Sequence, residues 1–285
     1  MKDDLVWITG AGGLIGNYLV QTAGKWAPSQ VVIGLTRPQL DLTDFASVRL
    51  RFTSERPKAV IHCAALSRSP ECQRDPELAR KLNVEVTAFL AQLAAQIPFV
   101  FLSSDLVFDG REGNYDESAT VNPLSVYAQT KIAAEQLVLA NPKHIVVRTS
   151  LNGGTSPTGD RGFNEQIKNA WRAGKMLTLF TDEFRCPIPA GVTARAVWEL
   201  LSNRHPPGLY HVAGAERLSR WQIGQLLATR WPQLNPGIVP GSASDYPGAP
   251  RSPDTSLNSA KIQRLLSFRL PGLTDWLDAH PDEPF

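Results

Sequence analysis

The sequence predicts an α/β fold in which a doubly wound parallel sheet is joined to a smaller, loop-rich α/β domain. Three observations lead there. Short apolar runs recur at Leu5–Thr9, Val31–Thr36, Ala59–Cys63, Phe99–Ser103 and His144–Arg148, with helix-length segments between them near 14–24, 44–55, 76–96 and 124–140; strands alternating with helices imply parallel pairing. The runs are mostly apolar rather than alternating, as strands covered on both faces should be. Residues 5–16 carry the first run straight into a turn with glycines at Gly10, Gly13 and Gly16, a pattern suited to a Rossmann-type dinucleotide cradle.

Taken in order, the first strand leads into that turn. Gly10 allows a tight bend, Gly13 lets backbone N–H groups approach a pyrophosphate, and Gly16 permits close packing of the helix. Leu14 and Ile15 open the helix, whose N-terminus favours an anion. The Gly-x-x-Gly-x-x-Gly spacing is one residue longer at its first gap than the usual fingerprint, and a plain strand-to-helix turn with no ligand remains the alternative. The second strand ends in Thr36-Arg37, with no carboxylate until Asp41. An acidic residue there would bond the ribose hydroxyls of NAD; Arg37 instead suits a 2′-phosphate, so NADP is expected ahead of NAD unless Arg37 is a solvated loop residue. Asp41 and Leu42 follow at a distance suited to the adenine edge.

The fourth strand ends in Ser103-Ser104-Asp105, at the carboxyl edge where ligands bind in open α/β sheets. The next helix opens with Tyr127-Ala128-Gln129-Thr130-Lys131, which places phenol and ammonium on one helix face. A tyrosine that exchanges a proton near neutrality needs its pKa lowered by roughly 3 units, and a nearby lysine cation and the positive nicotinamide ring of an oxidised cofactor act in that direction. Ser104 is expected to hold a carbonyl oxygen while Tyr127 supplies the proton, the alternative for the serines being a helix cap or turn.

After Arg148 the texture changes. Loops rich in Gly, Pro and Ser occupy 152–159, 181–190 and 235–253; between them lie helices near 161–173, 191–203 and 219–230 and a strand at Leu209–Val212. Residues 1–150 are therefore expected to form the dinucleotide-binding domain, with elements near 191–213 returning to it. Residues 151–190 and 214–285 are expected to form mainly the substrate domain.

Composition limits the partners. A net charge of +2, from 29 basic and 27 acidic side chains, offers no field for indiscriminate nucleic-acid binding and no basic run for a membrane surface. No stretch approaches the roughly 18 apolar residues of a membrane span. Cys63, Cys72 and Cys186 form no metal-type pair and leave one unmatched in any disulfide scheme, and the five histidines are scattered, so no metal is expected and a reducing, cytoplasmic setting fits.

Together these motifs resemble the extended short-chain dehydrogenase/reductase family. More narrowly, Ser103 to Gly110, Asp41-Leu42-Thr43-Asp44, Tyr127 to Lys131, Arg148-Thr149-Ser150, Thr181 to Pro187, Gly208-Leu209-Tyr210-His211 and Arg251-Ser252-Pro253 resemble the dTDP-4-dehydrorhamnose reductase group. The resemblance implies that Tyr127 and Lys131 are the catalytic pair, with Ser104 in the place of the usual threonine. It also implies that Asn83 fixes the proton path or the cofactor, and that Ala64, Ala65 and Ser103 lie along the cofactor. Leu14, Leu106 and Leu151 depart from the group, which usually carries glutamine, tyrosine and an aromatic residue there, so the sugar need not be the same. The function expected is NADP-dependent reduction of a keto group on a nucleotide-linked sugar. Asp105, Phe163, Arg185 and Arg251 are expected near the substrate, although the two arginines also suit a structural role. The rival readings are a sugar-nucleotide epimerase or dehydratase of the same superfamily and a non-catalytic NADP-binding subunit resembling that of methionine adenosyltransferase. A homodimer is compatible with all three.

Overall fold

Every expected strand forms, each within one residue of its expected ends. A computed structural model describes residues 4–202, 205–248, 251–283 and 285 of the chain. The central sheet comprises β1 (Leu5–Thr9), β2 (Val31–Leu35), β3 (Ala59–His62), β4 (Phe99–Ser104), β5 (Ile145–Thr149) and β6 (Gly208–Val212). All neighbours pair in parallel, in the order β2-β1-β3-β4-β5-β6. Strands β1, β3, β4 and β5 are buried at every residue, which explains their unbroken apolar character, whereas edge strand β2 is exposed at Val31. Strand order reverses between β1 and β3, and the crevice at the carboxyl ends of those two strands is where an open α/β sheet takes a ligand.

Helices cover both faces. Leu14–Trp26 and Ala190–Ser202 pack together on one face, where Leu19 and Trp198 join the cluster that includes Ile8, Ile61 and Val147. The Trp198 indole donates to the Leu19 carbonyl at 3.1 Å, so this buried ring has its polar atom satisfied. On the other face Phe45–Glu55, Val86–Leu93 and Val126–Leu139 cover Trp7, Val60, Phe101 and Val146. The expected helix near 76–96 is interrupted: Pro76–Arg80 and Val86–Leu93 flank a π-helical turn at Lys81–Glu85 that carries Asn83.

Beyond β5 the chain forms short pairings: Asn152–Gly153 with Ile188–Pro189, Phe184–Arg185 with Leu218–Ser219, and Leu177–Phe180 with Ile238–Gly241. A separate apolar cluster holds them, built on Trp171, Trp231, Trp276 and Phe285 with the helices Phe163–Arg172, Arg220–Arg230 and Leu273–Ala279. The segment after residue 250 turns back toward the sheet, bridging Asp254 to Phe184 and Leu257 to Tyr115. Short helices at Ser69–Arg74 and Ala260–Gln263, and the one at Leu273–Ala279, lack the long periodic pattern that would have marked them in the sequence. Among the described residues no helix is long and apolar enough to cross a membrane, and no group of three or more His, Cys, Asp or Glu is placed to hold a metal.

Candidate active site

The first turn has the geometry of a close-packed cradle. Gly10 has φ of +71°, and a Cβ there would lie 2.6 Å from the Ala64 amide nitrogen, so the ends of β1 and β3 approach each other only because residue 10 has no side chain. A Cβ on Gly16 would lie 2.3 Å from the Gly10 carbonyl oxygen, so the close packing expected at Gly16 is against the turn itself. Helix Leu14–Trp26 starts without a side-chain cap at Gly13, which leaves its first N–H groups for an anionic guest. Ala64 is half-buried beside Gly10 and Ala65 is exposed.

Beyond the turn, the Ala11 amide donates to the Leu35 carbonyl at 3.2 Å, setting the end of β2 beside the glycines. Arg37 follows with its side chain 80% exposed and, among the described residues, only a 3.8 Å approach to Asp41, which leaves its guanidinium open to another anion. Asp41 accepts from the Thr43 amide and hydroxyl, and those bonds hold its carboxyl below the usual carboxylate range. Leu42 packs beside it against the face containing Val48 and Val60.

At the carboxyl end of β4, Ser103 and Ser104 are buried next to Tyr127 and Lys131. Ser125 caps the tyrosine helix by accepting from the Ala128 amide, and Asn83 on the π-helical turn donates to Thr130 at 2.9 Å. Asn83 also accepts from the Leu66 amide at 2.8 Å and donates to the Leu66 carbonyl at 3.0 Å, fixing the chain after β3. The Lys131 ammonium donates to the Leu102 carbonyl at 2.6 Å and lies 3.9 Å from the centre of the Phe101 ring. Burial pulls its pKa down to about 7, partly opposed by the charge of Glu135. His62 behind it bonds Thr9 and Thr87 and is held neutral, its pKa pushed down to about 3 by burial and by Lys131.

The acidity expected of Tyr127 drew on the lysine and on the positive nicotinamide ring of a bound cofactor; in the ligand-free protein the shift is upward. Burial raises its pKa well above the ordinary value; the Ser104 hydroxyl opposes this, while the charges of Asp105 and Glu135 reinforce it. Burial is the largest of these causes. The phenol is therefore fully protonated at neutral pH, the form that donates a proton.

Next to this cluster lies a cavity of about 1210 Å³. Leu106 and Ser125, chain neighbours of Ser104 and Tyr127, belong to its wall, whereas the glycines of the first turn do not. Its wall is cationic: Arg68 and Arg74 come from the stretch after β3, and Arg185, Arg220 and Arg251 from the smaller part. The last three converge on Glu183, a carboxylate with no exposed surface. Burial alone would raise the pKa of Glu183, but Arg220, Arg251 and Arg185 overcome it and hold the group well below the carboxylate range. Arg185 also bonds Thr255 and lies 3.5 Å from Asp105, which accepts from Ser150 at 2.7 Å and from Thr255 at 3.2 Å. Thus both arginines selected from the sequence reach the cavity, already ion-paired. Asp105 lies behind its wall, and Phe163 is corrected to a core residue: it packs against Phe285 at a centroid distance of 6.0 Å and does not line the cavity. Sequence reasoning missed Arg220 and Glu183, which only tertiary folding brings together, and Glu135, whose four-residue step from Lys131 was a usable signal.

A parallel sheet with its order reversal at a glycine turn, and a tyrosine–lysine helix set against the serines of β4, define a Rossmann-type protein of the extended short-chain dehydrogenase/reductase class. The chain belongs to the RmlD substrate binding domain family, whose pattern matches residues 4–280. Among its relatives, a dTDP-4-dehydrorhamnose reductase of Mycolicibacterium smegmatis is 30% identical over 283 residues, covering 96% of this chain and 83% of the relative. The methionine adenosyltransferase 2 subunit beta of Xenopus laevis is 27% identical over 271 residues, covering 90% and 81%. A hypothetical dTDP-4-dehydrorhamnose reductase from Sulfolobus tokodaii superposes with a TM-score of 0.83 at 29% identity, covering 94% of this chain and 97% of the other. The Bacillus anthracis dTDP-4-dehydrorhamnose reductase, solved in complex with NADP, shares the fold with a TM-score of 0.87 at 22% identity, covering 98% of each chain.

Proposed function

We propose that this protein is an NADP-dependent reductase of a keto group on a nucleotide-linked sugar. The observation that carries the reading is the buried cluster of Ser104, Tyr127 and Lys131 between the switch-point crevice and a cation-lined cavity. Residues 1–150, with the 191–213 elements, would hold the cofactor, and the remainder the substrate. The glycine turn with Leu14 and Ile15 would receive the pyrophosphate, Arg37 the 2′-phosphate, and Asp41 and Leu42 the adenosine end. Ala64, Ala65, Asn83 and Ser103 would flank the nicotinamide end. The cradle around Gly10 fits this group because a side chain would close the crevice. When bound, the cofactor supplies the hydride for the carbonyl carbon.

In this reading Ser104 orients the carbonyl oxygen and Tyr127, protonated before the reaction, passes it a proton. The Lys131 cation stabilises the phenolate left behind. The arginines of the cavity favour an anionic substrate such as a nucleoside diphosphate ester, Arg185 and Arg251 among them, with Asp105 holding Arg185 in place. NAD remains a second cofactor for which the same turn is suited.

The test is stoichiometry. Incubation with NADPH and keto sugar nucleotides should oxidise one cofactor per sugar reduced. Turnover of sugar without net cofactor oxidation would instead support an epimerase or dehydratase. Binding of NADPH with no turnover would support a regulatory subunit, a reading that the 27% identity to a methionine adenosyltransferase subunit favours.

A further inference from the structure

Tyr127, Lys131 and Glu135 succeed one another at four-residue steps and so share one face of the helix Val126–Leu139. Glu135 is 3% exposed and lies in a closed network of its own. The Ser103 hydroxyl donates to it at 2.5 Å, and Arg148 from β5 donates to both of its oxygens, with the shortest contact 2.7 Å. Arg148 is held in turn: it lies 3.4 Å from His211 Nε2 and its guanidinium carbon is 5.1 Å from the Phe108 ring centre. His211 Nδ1 bonds the Tyr115 carbonyl at 3.0 Å. None of these groups lines the cavity.

We propose that Glu135, held by Arg148 and Ser103, is a positioning residue whose charge keeps Lys131 in its ammonium form for the reaction. The inference rests on the role given above to Lys131. Its physical basis is the poverty of the lysine's surroundings. The described neighbours of the ammonium are one carbonyl, one aromatic ring, the neutral His62, and Cys63, whose thiol burial pushes up to about 12. From its own helix it is faced by the protonated Tyr127 and by Glu135; from β5, Arg148 acts through its pairing with Glu135. Glu135 is accordingly the group that supplies negative charge to the lysine, and burial pulls the other way. Arg148 reaches the carboxylate from β5, whereas Lys131, one helical turn away along the same helix, bonds the Leu102 carbonyl of β4. The Ser103 bond takes up part of the carboxylate's charge, so it sets how much reaches the lysine.

The experiment titrates Lys131 directly, by 13C NMR of the lysine Cε in the ligand-free protein, with Lys131→Met identifying the signal. Glu135→Gln keeps the shape and one acceptor oxygen for Ser103 and Arg148 but removes the charge. The Lys131 midpoint should fall by about one unit, and the alkaline limb of kcat for NADPH oxidation should fall with it. Should Glu135→Gln fail to fold, Ser103→Ala supplies the opposite sign: with one donor removed from the carboxylate, the midpoint should rise. A midpoint that stays in place in whichever variant folds overturns the proposal, even if stability or kcat drops. The NMR titration needs no turnover, so a protein that reduces no sugar would refute the proposed function while leaving this inference separately tested.

Discussion

Asn83 Nδ2 and Thr130 Oγ1 lie 2.9 Å apart, joining a π-helical turn to the helix that carries Tyr127 and Lys131. The same side chain holds both backbone polar groups of Leu66, so a single amide fixes the chain after β3 against the tyrosine helix. A regular α-helix through Lys81–Glu85 would turn Asn83 to a different angle, which gives the π turn a physical reason to persist.

Asn83→Ala should leave the Leu66 amide and carbonyl without these partners and cost about 2 kcal/mol of stability. Urea denaturation measures this, and kcat should fall in the same variant because the tyrosine helix loses its tie. An unchanged denaturation midpoint would remove Asn83 from the framework of the site.

Lys131→Met is expected to stabilise the ligand-free protein while abolishing most turnover. The folded-state pKa of about 7 lies below the ordinary lysine value of 10.5, so the folded protein binds fewer protons than the unfolded chain between those limits. The lysine therefore costs stability at pH 7, and the cost fades as pH rises toward 10. Chemical denaturation should show the variant more stable at pH 7 by on the order of 1 kcal/mol, with the advantage shrinking at pH 10. A variant less stable at pH 7 would contradict this burial argument.

Glu183 carries the acid dependence of the smaller part. Its folded-state pKa is depressed, so its contribution is present above the unfolded carboxylate value near 4.5 and is lost as pH falls below it. Glu183→Gln should flatten the loss of stability below that pH. It should also destabilise the protein at neutrality by about 3 kcal/mol, because three arginines lose their shared counter-charge. Acid denaturation curves that coincide in the two proteins would refute the role.

Arg37→Ala should weaken NADPH binding about tenfold or more and leave NADH binding within about twofold, since among the described residues the exposed guanidinium has no partner besides a distant Asp41. Fluorescence titration with each cofactor checks it. Parallel losses would show that Arg37 does not read the 2′-phosphate.

The sheet was legible in the sequence because its strands are buried on both faces and leave continuous apolar runs, and the glycine turn because Gly10 and Gly16 stand where a Cβ would strike backbone. Tyr127 and Lys131 were legible through their helical spacing together with their place on the helix that follows the fourth strand. The cavity was not: Arg220 and Arg251 come from segments about thirty residues apart and meet Arg185 only through the buried Glu183, and no local pattern records that convergence. Phe163 illustrates the converse, since an aromatic residue at a helix start reads the same whether it faces a ligand or, as here, Phe285. The burial that raises the Tyr127 pKa in the ligand-free protein was not legible either, because helical spacing reports the nearby lysine but not how deeply the ring is packed.

The central claim is that the Tyr127 phenol delivers the proton during hydride reduction of a keto sugar nucleotide. The most direct measurement is the rate of NADPH oxidation, read as loss of the reduced-nicotinamide absorbance, across a panel of such substrates with the parent protein and Tyr127→Phe. The account predicts turnover by the parent and a loss of about 10²–10⁴-fold in the variant at nearly unchanged NADPH affinity. Equal rates in the two proteins would contradict it, as would a parent that binds NADPH and oxidises none.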